Sequence, residues 1–193
     1  VLALLPGSRA QEIQTMLPLM LAAACQHPTL QPVIAGAPNQ PEAFYEGILR
    51  QAGLSPTAIP ISRNQTYDLL RLSSLALVTS GTATLETALL GIPQVVCYRG
   101  SRISYWIARR LVRHIRFIAL PNLILDRAIV PELIQGELTP ERLSQEIERI
   151  QTPEVCMQCA ADYATLREAL GGTGASQRLA ESLLADLETL RGK

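Results

Sequence analysis

Hydrophobic and polar positions follow two alternating rhythms along the first two thirds of the chain. Short apolar runs at Val1–Leu5, Pro32–Ala35, Ala58–Ile61, Leu75–Thr79, Gln94–Tyr98 and Ile115–Ile118 have the length and composition of buried strands. Between them, apolar residues recur every three or four positions. This predicts helices over Ala10–Ala24, kinked at Pro18, and over Pro41–Ala52, Thr66–Leu72, Thr82–Leu90 and Arg102–Arg113. Such alternation is the pattern of βαβ units, so the expected fold class is α/β: a doubly wound, Rossmann-like sheet of six parallel strands. Beyond residue 131 the strand pattern stops, and Pro140–Gln151, Pro153–Leu170 and Ala175–Leu190 predict a helical C-terminal tail. Residues 1–150 are expected to form the sheet domain, and 151–193 helices packing on it, on a missing domain or on a partner. Gly171-Gly172-Thr173-Gly174 follows no strand and reads as a helix break rather than a phosphate loop.

Composition narrows the picture. Of 193 residues, 48% are apolar and 18% charged, which excludes a disordered chain. The longest apolar run, Met16 to Cys25, contains Pro18 and falls short of the ~20 residues of a membrane span. The chain opens at Val1 inside a strand and without a basic leader, so no signal peptide is expected and a piece of a longer protein is. Cys156 and Cys159 have C-x-x-C spacing, but no second pair follows and His27 and His114 are distant. Packed helix cysteines in a reducing compartment are therefore expected, with no metal site. Seventeen basic and seventeen acidic residues cancel, which argues against nucleic acid held by bulk charge. The cancellation hides a separation: residues 1–125 hold 10 basic and 5 acidic side chains, and 126–193 hold 7 and 12. Every basic residue except Lys193 is arginine, suited to planar recognition of phosphate or carboxylate.

In an open parallel sheet, ligands bind outside the carboxyl ends of the strands near the switch in strand order, where helix N-termini offer free amides. After the first strand come Gly7, which permits a tight turn, then Ser8 and Gln11 in capping-box spacing, and Arg9. An arginine opposes the helix dipole there, which points to an anionic ligand; a plain helix cap is the alternative. After the fourth strand, Ser80-Gly81-Thr82 presents amides and hydroxyls to an anion such as a diphosphate. Glu86, a turn later, can accept from the hydroxyls of a ribose. A well-capped turn with a surface glutamate is the alternative. Arg102, Trp106, Arg109 and Arg113 share one helix face, suited to an anionic membrane surface or lipid phosphate, or to a solvated face paired with the acidic tail. Asn122, in a proline-fixed loop beyond the sixth strand, can donate and accept toward a sugar or phosphate, or serve the turn itself.

Taken together, Leu4-Leu5-Pro6-Gly7-Ser8-Arg9 with Glu12, Ser80-Gly81-Thr82 with Leu85-Glu86, Pro93 through Arg99, Leu120-Pro121-Asn122-Leu123 and Pro131-Glu132-Leu133 with Gln135 resemble the lipid-A-disaccharide synthases, glycosyltransferases of the GT-B fold. The resemblance covers about residues 1–150 and implies the C-terminal, donor-binding half of that fold. It implies an inverting transfer of 2,3-diacylglucosamine from its UDP donor to 2,3-diacylglucosamine 1-phosphate, forming lipid A disaccharide and UDP. By position, Gly7, Ser8, Arg9, Ser80, Gly81 and Thr82 would hold the diphosphate and Glu86 the ribose. Asn122 and Gln135 would face the donor sugar or its phosphates, and the backbone near Ile61 the uracil. Arg9 and Asn122 are the expected catalytic residues of this half, with the general base in the absent N-terminal half. The absence of an Asp-x-Asp motif implies transfer without a metal, and no cofactor is expected. The implied partners are the UDP donor, a lipid acceptor, a membrane surface and, in a homodimer, a second copy; the implied location is cytoplasmic, peripheral on the inner membrane. Other GT-B enzymes, of the peptidoglycan glucosaminyl transferase or UDP-N-acetylglucosamine 2-epimerase type, and a non-catalytic nucleotide-sugar-binding module are the competing readings.

Overall fold

The structure, a computed structural model, describes residues 1–100, 116–172, 174, 176–177 and 179–184. Six parallel strands form one sheet: β1 (Leu2–Leu5), β2 (Pro32–Gly36), β3 (Ile61–Arg63), β4 (Leu75–Thr79), β5 (Gln94–Tyr98) and β6 (Glu132–Ile134), in the order β3-β2-β1-β4-β5-β6. Leu4 pairs with Ile34 on one side and Leu77 on the other, Val78 with Val96, and Cys97 with Leu133. Helices α1 (Ala10–Ala24), α2 (Glu42–Gln51) and α6 (Pro140–Ile150) cover one face of the sheet; α3 (Thr66–Leu72), α4 (Thr82–Leu89), α5 (Leu120–Leu125) and α7 (Pro153–Ala169) cover the other.

Strand periodicity explains the layers. Leu2, Leu4, Leu75, Leu77, Val95 and Cys97 enter the core beneath α1 and α6, while the intervening Ala3, Leu5, Ala76 and Val78 pack under α3. Because both faces are buried, the strands read as continuous apolar runs instead of alternating ones. Helix α1 buries Ile13, Met16, Leu17, Met20 and Leu21 at helical spacing and runs through Pro18 as one helix. Just beyond it, buried His27 meets Ser144 of α6 at 2.8 Å. Among the described residues, no helix is long and apolar enough to cross a membrane.

The edges of the sheet depart from the sequence expectation. Strand β3 begins at Ile61, three residues after Ala58, because Pro60 has no amide to donate and offers only its carbonyl, to Ile34 N at 2.9 Å. The sixth strand is Glu132–Ile134 and not Ile115–Ile118, so strands do continue past residue 131. Ile118 N instead donates to the Glu132 carboxylate, at 2.9 Å to Oε2, and residues 120–125 form a helix with Pro121 in its first turn rather than a loop. Residues 102–113 lie outside the described residues, as does part of 175–190. At the end of α7, Gly171 and Gly172 take left-handed backbone angles (φ 76° and 68°), the usual stop of a helix.

Candidate active site

In this strand order, the chain leaves β1 toward β2 on one side and enters β4 on the other, so the loops beyond β1 and β4 part and leave a crevice between them. A cleft of about 690 Å³ opens there. One wall is Gly7, Ser8, Arg9 and Glu12; the opposite wall is Thr79 to Ala83 with Glu86; Asn64 to Asp68 and Arg71 close one end. Gly7, Ser8, Arg9, Ser80, Gly81, Thr82 and Glu86, singled out from the sequence, are thus brought to one cavity.

Each is positioned by local chemistry. Gly7 turns the chain with φ 106°, open to glycine at little cost. Arg9, not Ser8, is the N-cap of α1, and the side chain that reaches back to it is Glu12 rather than Gln11: Glu12 Oε2 accepts from Arg9 N at 3.3 Å, while the Arg9 guanidinium, a donor only, returns no cap bond. The cap position is displaced by one residue because the β1 turn extends through Ser8. Arg9 Nη1 also pairs with Glu12 Oε1 at 3.2 Å, so the cation at the helix start has an internal anion. On the other wall, Ser80 Oγ donates to Ile118 O at 3.2 Å and Ser80 N to Cys97 O at 3.0 Å, which fixes the turn. Thr82 and Ala83, the first residues of α4, line the cleft, and the amides that open a helix have no acceptor one turn earlier. Thr84 Oγ1 returns to Gly81 O at 2.7 Å.

Tyr67, which sequence reasoning missed, donates its hydroxyl to Glu86 Oε1 at 3.0 Å and so ties α3 to α4 at the cleft edge. That bond and the nearby carboxylate charge raise the Tyr67 pKa above its ordinary value. Asn64, Gln65 and Arg71 were also missed. With β3 ending at Arg63, two residues beyond the expected Ile61, the segment at its carboxyl end is Asn64-Gln65 and not the one near Ile61; the polar stretch Ser62–Gln65 was the signal available. Asn64 holds a left-handed backbone (φ 55°), a conformation that asparagine tolerates.

Ile61, Asn122 and Gln135 do not line the cleft. Ile61 packs on the core, its Cγ2 filling the space that a Cβ on Gly36 would need. Asn122 is fully buried: Nδ2 donates to Val130 O (2.9 Å) and Glu132 Oε1 (2.7 Å), while Oδ1 accepts from Ile129 N (2.7 Å) and Val130 N (2.9 Å). Its amide has no capacity left for a substrate, which corrects the catalytic and sugar-facing expectation. Gln135 starts a short 3₁₀ turn beyond β6, with φ 54° and its side-chain nitrogen sealed without a partner among the described residues. Arg99 Nη2, at the end of β5, donates to the carbonyls of Gln135 and Leu138. Arg102, Trp106, Arg109 and Arg113 are outside the described residues.

Fold and cleft define a class: a Rossmann-like α/β domain, one half of a GT-B glycosyltransferase fold, with an open crevice at its strand switch. The spinosyn rhamnosyltransferase SpnG shares this fold over 94% of the chain and 44% of its own, with TM-score 0.58 and 20% identity. The C-terminal CMP-Kdo binding domain of WaaA from Acinetobacter baumannii does so over 86% and 88%, with TM-score 0.50 and 18% identity. The sequence model of lipid-A-disaccharide synthetase matches residues 1–181, and the chain belongs to that family. The lipid-A-disaccharide synthase of Myxococcus xanthus is 40% identical over 188 residues, 95% of this chain and 48% of that protein. The chain spans about half the length of the curated relatives it matches.

Proposed function

We propose that this chain is the donor-binding half of a lipid-A-disaccharide synthase, an inverting glycosyltransferase that moves 2,3-diacylglucosamine from UDP to 2,3-diacylglucosamine 1-phosphate. The observation that carries the reading is the convergence of Gly7–Arg9, Ser80–Thr82 and Glu86 on one cleft at the strand switch. The diphosphate lies between the starts of α1 and α4, and the ribose hydroxyls donate to Glu86. In the transfer, the bond between the sugar C1 and the diphosphate oxygen breaks while an acceptor hydroxyl attacks C1 from the opposite face. The hydroxyl proton goes to a base contributed by the other half of the protein. Negative charge builds on the departing diphosphate, and the fixed amide dipoles with Arg9 stabilise it. The arginines and tryptophan in the sequence 102–113 support peripheral contact with an anionic membrane that presents the lipid substrates; a homodimer belongs to the same reading.

Calorimetric titration tests the site. UDP is expected to bind the protein saturably, and Arg9→Ala and Glu86→Ala each to weaken it by about 10- to 100-fold, the range of a lost charge-assisted hydrogen bond of about 1.5–3 kcal/mol. With both sugar substrates supplied, the 193-residue chain alone is expected to give no disaccharide. UDP binding that ignores both substitutions would sink the assignment of the cleft.

A further inference from the structure

The anion-accepting corner of the cleft is occupied by the protein's own carboxylate. Glu12 Oε2 accepts from the backbone amides of Ser8 and Arg9, each at 3.3 Å, and Glu12 Oε1 from Arg9 Nη1 at 3.2 Å. A Cβ on Gly7 would lie 2.8 Å from that Oε2, so the space left by the bare glycine is the space the carboxylate fills. Two amides, a guanidinium and a glycine gap are the features that bind phosphate in strand-to-helix turns. The same cleft is lined by Thr79, 7% exposed, whose hydroxyl has no partner among the described residues. The turn has therefore ordered itself around an anion, and that anion is internal.

We propose that Glu12 is a resident anion that satisfies the Ser8 and Arg9 donors in the free protein and is displaced when a diphosphate enters, lowering affinity for the phosphate part of a ligand and not for the nucleoside part. The inference deepens the nucleotide reading of the cleft and rests on it for the identity of the ligand. Carboxylate and diphosphate oxygens compete for the same donors, and two anions do not share them. Displacement needs only rotation of the half-exposed Glu12 side chain outward, with Arg9 passing from carboxylate to phosphate. Binding then exchanges one set of charge-assisted bonds for another, so the same donors that stabilise the departing diphosphate do not trap the UDP product. A carboxylate that merely caps α1 would have the opposite effect: removing its charge would loosen the turn and weaken every ligand.

Glu12→Gln separates the two roles, because its amide oxygen still accepts from the Ser8 and Arg9 amides while the charge is gone. Calorimetry on the unaltered protein, Glu12→Gln and Glu12→Ala would use three probes: inorganic pyrophosphate, uridine and UDP. Glu46→Gln, on α2 and paired with Arg50, removes the same charge on a pair that does not line the cleft and serves as the control. The expected result is pyrophosphate and UDP bound about tenfold tighter by Glu12→Gln, and tighter also by Glu12→Ala, with uridine within twofold and Glu46→Gln unchanged. Thermal melts establish that each variant is folded. Pyrophosphate bound equally or more weakly by both Glu12 variants overturns the inference. Tighter pyrophosphate with no uridine or UDP binding in any form keeps it and overturns the nucleotide reading instead.

Discussion

Asn122 and Glu86 illustrate how differently two polar residues of one chain are used. Glu86 stands half-buried on α4 at the edge of the cleft, where its Oε1 accepts from exposed Tyr67. Asn122 spends all four of its hydrogen-bonding positions on the segment from Ile129 to Glu132. Asn122→Ala would leave the Ile129 and Val130 amides and the Val130 carbonyl without a side-chain partner, each costing about 1–3 kcal/mol. Urea unfolding is expected to show a loss of about 3–5 kcal/mol, while the folded protein keeps its UDP affinity within about twofold. A large affinity loss at unchanged stability would restore Asn122 to the site. The residues of the β1 and β4 turns were legible in the sequence because their chemistry is local: a glycine, a cap and a cation at a strand end carry their own context. The role of Asn122 was not, because its partners lie seven to ten residues away and come within reach only once β6 has docked.

At the scale of elements, the central strands β1, β4 and β5 were readable as apolar runs, and α1 and α3 as periodic ones. Strand β6 was not, because three residues with only Leu133 buried carry no periodicity. The clamp that holds it is a carboxylate: Glu132 accepts from Ile118 N, Ala119 N and Asn122 Nδ2, and so supplies the start of α5 with the anion a helix N-terminus favours. Helix α7 is fastened differently, by its C-terminal half against the end of α4. Tyr163 Oη donates to Ile92 O at 3.3 Å, and Arg167 Nη2 to Leu89 O at 3.0 Å, where a cation meets the negative end of the α4 dipole. Arg167→Ala is expected to cost about 1 kcal/mol, a fall of about 2–4 °C in Tm for a chain of this size, read by calorimetric melting. No shift would mean that apolar packing by Tyr163 and Leu166 alone fastens the helix.

At the scale of the whole molecule, zero net charge conceals a division that the fold puts to use. The cleft arginines Arg9 and Arg71 belong to the basic half, whereas Arg127 and buried Asp162, paired at 2.6 Å, both lie in the acidic one. The interior makes the protein sensitive to alkali rather than to this surface charge. Burial pushes the Cys97 thiol up to about 12 and raises the Tyr45 and Tyr163 phenols. The unfolded chain releases the thiol proton near its ordinary pKa of about 8.5, while the folded chain keeps it. Stability contributed by this group is complete below that pH and lost as pH rises toward 12, at about 1.4 kcal/mol per unit of pH for one proton. Cys97→Ala is expected to flatten the decline between about pH 9 and 10 in urea midpoints, and an unaltered slope would assign the decline to the tyrosines.

The two outermost strands, β3 and β6, are three residues each, while the four between them have four or five. An unpaired strand edge is a template on which another chain can add a strand, and its reach grows with its length. Tapering the sheet at both margins leaves little ladder for such growth, so crowding many copies together need not turn their sheets into a continuous fibre.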